Sequence, residues 1–198
     1  MSLVQTLLTV IPSALLAATT ATILLGRRWR YAIIALGVQY LIVFWLAQQV
    51  LPFGLAAVKL VSGWMAAALI STSLPGGESL EEEDPAPSWL VFRAVAAGFV
   101  LIVVASIYPE VGTWIPVDTE ILLGGCILIG MGLIQLGMST GVPRVILGLL
   151  TVLSGFEVFY AALEDSVLVA GLLAMITTGL AVAGSYLMSL PVRHEEAG

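Results

Sequence analysis

Seven stretches of the chain, each about 20 residues long, are built almost entirely from apolar side chains, and polar residues gather in the segments between them. The stretches fall near 3–25, 31–50, 55–73, 89–108, 117–138, 143–163 and 167–190. A helix of about 20 residues, rising ~1.5 Å per residue, crosses a hydrocarbon core of ~30 Å. Lipid offers the backbone no hydrogen bonds, so each stretch must satisfy its own, as a helix does. The short alternating strands of a β-barrel are missing. The pattern predicts an all-α polytopic membrane protein with seven transmembrane helices, forming a single membrane domain over 1–198. Connections are short apart from 74–88 (LPGGESLEEEDPAPS) and 109–116 (PEVGTWIP), and no segment reads as a soluble domain.

Composition agrees: 60% of residues are hydrophobic and only 10% charged, where a soluble domain has about a quarter charged. Charge then orients the chain. The first stretch begins MSLVQ and is followed, not preceded, by its basic cluster GRRWR. A cleavable signal has the opposite order, so the stretch reads as a retained helix with its N-terminus outside. From that start Arg27, Arg28, Arg30, Arg93, Arg144 and Arg193 all fall on one side. The positive-inside rule gives N-out and C-in, a multi-pass protein of the cytoplasmic membrane. Trp29, Tyr31 and Trp89 would lie at the inner interface, Tyr108 and Trp114 at the outer one. Asp118 is placed to N-cap the fifth helix, and its charge and that of Glu120 suit the helix dipole.

Two ionisable residues remain inside the stretches, Lys59 and Glu157. Each costs about 2.5–3.5 kcal/mol on insertion scales, so they should face protein or water. Lys59 shares a helical face with Ala56, Ser62, Gly63, Ala66 and Ser73, small enough to admit a neighbouring helix. Glu157 has Ser154 and Tyr160 three residues to either side and Glu164 two turns on. Counted from the ends of their stretches, the two charges differ in depth by only ~2–3 Å, so a contact is geometrically allowed. They are candidates for a proton or ion relay, with Gln39, near the middle of the second stretch, as a third. Ser62, Ser154, Tyr160 and Thr178 are supporting polar positions. The blander alternative has Lys59 snorkelling to the outer surface and Glu157 hydrogen-bonded locally, with Gln39 a simple interhelical bond. Thr178, Ser185 and Ser189 form a stripe suited to packing. In the fifth stretch Gly125 and Gly132 lie nearly opposite Gly130 and Gly137, the pattern of a helix wedged between two others.

Catalytic chemistry has no foothold. Cys126 is the single cysteine and His194 the single histidine, which allows no intrachain disulfide and no metal-ligand set. No nucleophile–base pair, phosphate loop or haem-ligating pair is present, so no cofactor and no nucleic-acid partner is expected. Glu81, Glu82, Glu83 and Asp84 read as a solvated loop, or in the alternative as a dock for a cytoplasmic partner.

Two arginine-bearing loops each lead into a helix pair, RRWRYAIIALGVQYL…GLAAVKLVSGWMAAAL early and GVPRVILGLLTVLSGFEVFYAALEDSVLVAGLLAMITTGLAV late. Over nearly its whole length this resembles the hydrogenase 4 component E family, with Arg30, Gln39 and Lys59 matching in type and spacing. The late block also resembles the K subunit of complex I and the C subunit of multisubunit sodium/proton antiporters. Glu157 matches their middle-helix carboxylate approximately, the component E glutamate falling a turn earlier near Leu153. The K subunit's second glutamate has no counterpart where this chain reads Thr177, Thr178. The resemblance implies a small membrane-arm subunit of a complex-I-like ion-translocating assembly: a membrane-bound hydrogenase, an NADH dehydrogenase-like complex or a multisubunit antiporter. It implies large antiporter-like subunits and other membrane-arm subunits as partners, within the lipid bilayer. The subunit would be no enzyme by itself but a non-catalytic part of an ion-translocating oxidoreductase complex. Two other readings stay open: a non-conducting membrane scaffold or assembly subunit, and a stand-alone small transporter.

Overall fold

A computed structural model describes residues 3–26, 28–74, 87–115, 117–139, 141–164 and 166–190. They form seven helices: α1 (Leu3–Leu25), α2 (Trp29–Ala47), α3 (Phe53–Ser73), α4 (Pro87–Trp114), α5 (Thr119–Gly137), α6 (Val142–Leu163) and α7 (Val167–Ser189). No strand occurs among the described residues. Helices α2 to α7 are long and apolar enough to cross a membrane, and α1 contributes an apolar stretch over Val10–Leu25. The acidic run Glu81–Asp84, and with it Arg27, Arg193 and His194, lies outside the described residues.

Helix ends follow local chemistry. Pro143 opens α6, where a missing N–H costs nothing. Asp118 holds the N-cap position of α5, but its side chain makes no capping bond; it is exposed, and water can serve the first turn instead. The largest departure is α4. A stop at Pro109 was the sequence expectation, yet the helix runs on to Trp114 with Pro109 inside it. Proline there forfeits one backbone bond within the last turns, and the helix closes beyond it with Ile115 N–H donating to the Val111 carbonyl.

Six helices form two rows, α1–α2–α3 and α5–α6–α7, with α1 against α5, α2 against α6 and α3 against α7. Helix α4 lies outside, on α5 and α1. Two apolar clusters fill the space between the rows: Leu36, Tyr40, Ile70 and Leu150 in one, Leu16, Val43, Leu128 and Met131 in the other. Glycines bring α5 and α6 into backbone contact. A Cβ on Gly132 would come within 2.8 Å of the Val152 backbone nitrogen, and one on Gly155 within 2.9 Å of the Leu128 Cβ. On another face of α5, Gly130 meets Val100 and Val104 of α4. The fifth helix is indeed wedged among neighbours, and small residues are what permit the approach.

One end of the bundle gathers the arginines. Arg93 of α4 donates to the Leu24 carbonyl at 3.1 Å and to the Met138 carbonyl at 3.2 Å, bridging the C-termini of α1 and α5. Arg144 of α6 reaches the Gly26 carbonyl at 3.4 Å. Their guanidinium groups lie over the rings of Trp89 and Trp29 respectively. Helix C-termini carry partial negative charge and unpaired carbonyls, so both arginines, although buried, sit where cations are favoured. Arg28 and Arg30, at the start of α2, are exposed at this same end.

Candidate functional site

The centre between the two rows is where a polar set collects inside an otherwise apolar bundle. Lys59 reaches it because α3 turns Ala56, Lys59, Gly63 and Ala66 inward. Helix α6 turns Thr151, Ser154 and Glu157 inward along its own face. The Lys59 Nζ lies 3.6 Å from Oε2 of Glu157, with the two residues 3% and 1% exposed. On the other side, the Thr177 hydroxyl of α7 donates to Glu157 Oε1 at 2.9 Å. One carboxylate is thus held by three helices.

Helix α2 closes the site with Tyr40. Its ring lies against Gly63, one turn along α3 from Lys59, where any Cβ would strike the ring. Tyr40 is buried, and its hydroxyl makes no hydrogen bond among the described residues. Ser154 meanwhile donates to the Leu150 carbonyl at 2.7 Å.

The ammonium of Lys59 is poorly provided for. It has three donors, one ion-pair partner, and no hydrogen bond among the described residues. Gln39 is fully buried on α2, between the two apolar clusters, and neither end of its amide has a hydrogen-bond partner among the described residues. The expected interhelical bond is therefore not made. Buried groups of this kind are rare and usually have a reason.

Of the residues singled out from sequence, the structure brings Lys59, Glu157 and Ser154 together, and Gln39 lies beside Tyr40 on α2. Ser62 and Thr178 point elsewhere: each donates to its own helix backbone, and both line an apolar groove of about 970 Å³ between α3 and α7. Tyr160 is only half-buried and packs its ring against exposed Phe156. It takes no part in the centre. Snorkelling of Lys59 is not what is seen, since the side chain ends on Glu157 inside the protein. Tyr40 and Thr177 are the members that sequence reasoning missed. Tyr40 was lost in an apolar run, although its neighbour Gln39 marked that level of the helix. Thr177 had been noted only as the position lacking a second glutamate.

No group of three or more histidine, cysteine, aspartate or glutamate side chains is arranged to hold a metal among the described residues. Chemically, the centre can hold a proton on either of two groups, with the carboxylate accepting a hydrogen bond from Thr177. No family model, curated protein or solved structure matches the chain.

Proposed function

We propose that this protein is a small membrane subunit that handles an ion at the Lys59–Glu157 pair, as part of a complex-I-like ion-translocating assembly. The observation that carries the reading is the pair itself: an ammonium and a carboxylate in contact at the centre of an apolar bundle. An intramembrane ionisable pair is expensive and by default functional. For stability alone, hydrophobic residues of the same volume would serve as well or better. The partner class, large antiporter-like subunits with other membrane-arm subunits, rests on the resemblance carried by Arg30, Gln39, Lys59 and Glu157.

In this reading all seven helices cross the cytoplasmic membrane, N-terminus outside and C-terminus inside. Gathering of Arg28, Arg30, Arg93 and Arg144 at one end supports that arrangement through the positive-inside rule. A cysteine placed in 77–84 should react with impermeant reagents from the cytoplasmic side only; labelling from outside alone would reverse the topology.

The relay is tested by Lys59→Met and Glu157→Gln. Both should reach the membrane and assemble, yet impair ion movement by the native complex. Wild-type ion movement in both variants would end the relay reading. Failure of both to assemble would favour the second reading, a non-conducting scaffold. The specific observations behind that alternative are the glycine contact of α5 with α6 and the arginine bridges at the helix ends.

A further inference from the structure

The two rows of helices end differently. At one end α4 lies over the seam between α1 and α5, with Ala97 buried and with Val100 and Val104 reaching onto Gly130 of α5. At the other end, no further helix among the described residues covers the seam between α3 and α7, and Val61, Met175 and Val182 stand exposed beside it. The groove of about 970 Å³ lies here. Its walls run from Gly54 to Met65 on α3 and from Ala174 to Tyr186 on α7, a length of about three helical turns, or ~17 Å. Ser62 and Thr178 spend their hydroxyls on their own helices, so the floor presents an apolar surface.

The glycines indicate what shape is missing. Gly130, Gly132, Gly148 and Gly155 each meet atoms of a neighbouring helix where a Cβ would stand. Gly54 and Gly179, in the two walls of the groove, meet nothing within 4 Å. Gly37 and Gly98 are open too, but they do not line it. Glycine inside a helix weakens it relative to alanine, and in lipid its use is to let a second helix come close. A fluid acyl chain adapts to any relief and has no need of such a notch. Gly179 thus stands to the open groove as Gly130 stands to α4. We infer that the groove between α3 and α7 is the seat of one transmembrane helix from a different subunit. That helix is apolar and carries β-branched residues one turn apart, as α4 carries Val100 and Val104. A second copy of this chain fits less well. Its free α4 face, with Val95, Phe99 and Ile102 exposed, lies at the opposite end of the bundle, so copies joined that way would extend as an open row instead of closing. The inference rests on the assembly reading above.

The test is made on the tagged full chain in native membranes. p-Benzoylphenylalanine replaces Val61 or Val182 in the groove walls, and crosslinked peptides are identified by mass spectrometry after illumination. Both positions should crosslink to one apolar helix of a different subunit, with valine, isoleucine or threonine one turn apart beside the attachment point. Lipid adducts alone, crosslinks to a second copy of this chain, or no crosslink at all would each overturn the inference. Independently, Gly179→Leu should leave the unfolding temperature of the full chain in detergent unchanged, since nothing lies within 4 Å of the added Cβ. The fraction of chain migrating with the complex on native gels should fall by about tenfold or more, the scale of an overpacked close contact. Gly98→Leu, at an open glycine outside the groove, should leave both readings as in the wild type. A Gly179→Leu chain that stays in the complex, or an equal loss in Gly98→Leu, would also overturn the inference. The two proposals fail separately. Ion movement lost in Lys59→Met while Gly179→Leu stays assembled keeps the relay and removes the seat; wild-type movement in Lys59→Met with a crosslinked helix does the reverse.

Discussion

At the arginine end of the bundle, Arg93 donates to two carbonyls on two different helices and lies over a tryptophan ring. At the centre, Lys59 is just as buried, yet it faces one carboxylate oxygen beyond hydrogen-bond distance. Both are cations taken out of water, and both cost free energy to bury. The difference lies in how they are satisfied. A guanidinium never gives up its proton, and its planar fork can bridge two acceptors at once, which makes it a fastener. An ammonium is a point charge on a flexible stem, and Lys59 is left here without a hydrogen bond among the described residues. The same bundle thus uses one buried cation to tie helices together and keeps another unsettled.

Exchanging the two residue types gives the largest expected effect. Lys59→Arg keeps the charge and removes the ability to release it, so it should assemble at wild-type levels and lose ion movement by about a hundredfold, the low end of what a proton-transfer group contributes. Full activity in Lys59→Arg, measured in the native complex, would mean that charge alone matters at this position.

Arg93→Met tests the other half of the comparison. Two charge-assisted bonds at roughly 1.5 kcal/mol each predict about 3 kcal/mol of lost stability, read as a lowered unfolding temperature in detergent, with ion movement per folded molecule unchanged. Arg93→Lys should lose about half as much, because a point charge cannot hold both carbonyls in one plane. A stable but inactive Arg93→Met would make the arginine part of the ion path and erase the distinction.

Gly63→Ala sharpens the picture of the centre. The added methyl meets the Tyr40 ring, and overpacking of this kind costs about 1–3 kcal/mol. Unfolding temperature should fall, and the Tyr40 environment should change in the ultraviolet spectrum. An unperturbed tyrosine would mean that the ring is free to swing aside. The smallest effect is expected at the acidic loop. Replacing Glu81, Glu82, Glu83 and Asp84 with neutral residues should leave the membrane level unchanged, as solvated surface changes usually lie within about 0.5 kcal/mol. A collapse in that level, scored by immunoblotting, would show that the acidic loop is needed for folding.

Much of the fold was legible before any coordinates, because a hydrocarbon core demands long apolar helices whatever their arrangement. Helix starts and stops were read to within a few residues, except at Pro109, where a proline near the end of a helix did not terminate it. The inward face of α3 was legible too: small residues around Lys59 can only mean a close neighbour. Which neighbour was not. Gln39 looked like an interhelical bond and makes none among the described residues, and Tyr160 shares the stripe of Glu157 in sequence yet turns away from it.

The amino-acid sequence by itself determined the helices, their number and the two buried charges, since those depend on local hydrophobicity and on the cost of ions in lipid. Only the tertiary structure decided that Glu157 meets Lys59 and Thr177 together, that Gly63 makes room for Tyr40, and that Arg93 ties α1 to α5. The physical reason is that hydrophobicity does not choose among apolar neighbours. In a chain whose helices are greasy on nearly every face, partners are selected by close packing at glycines and by a handful of polar contacts. Their geometry exists only once helices distant in sequence have come together.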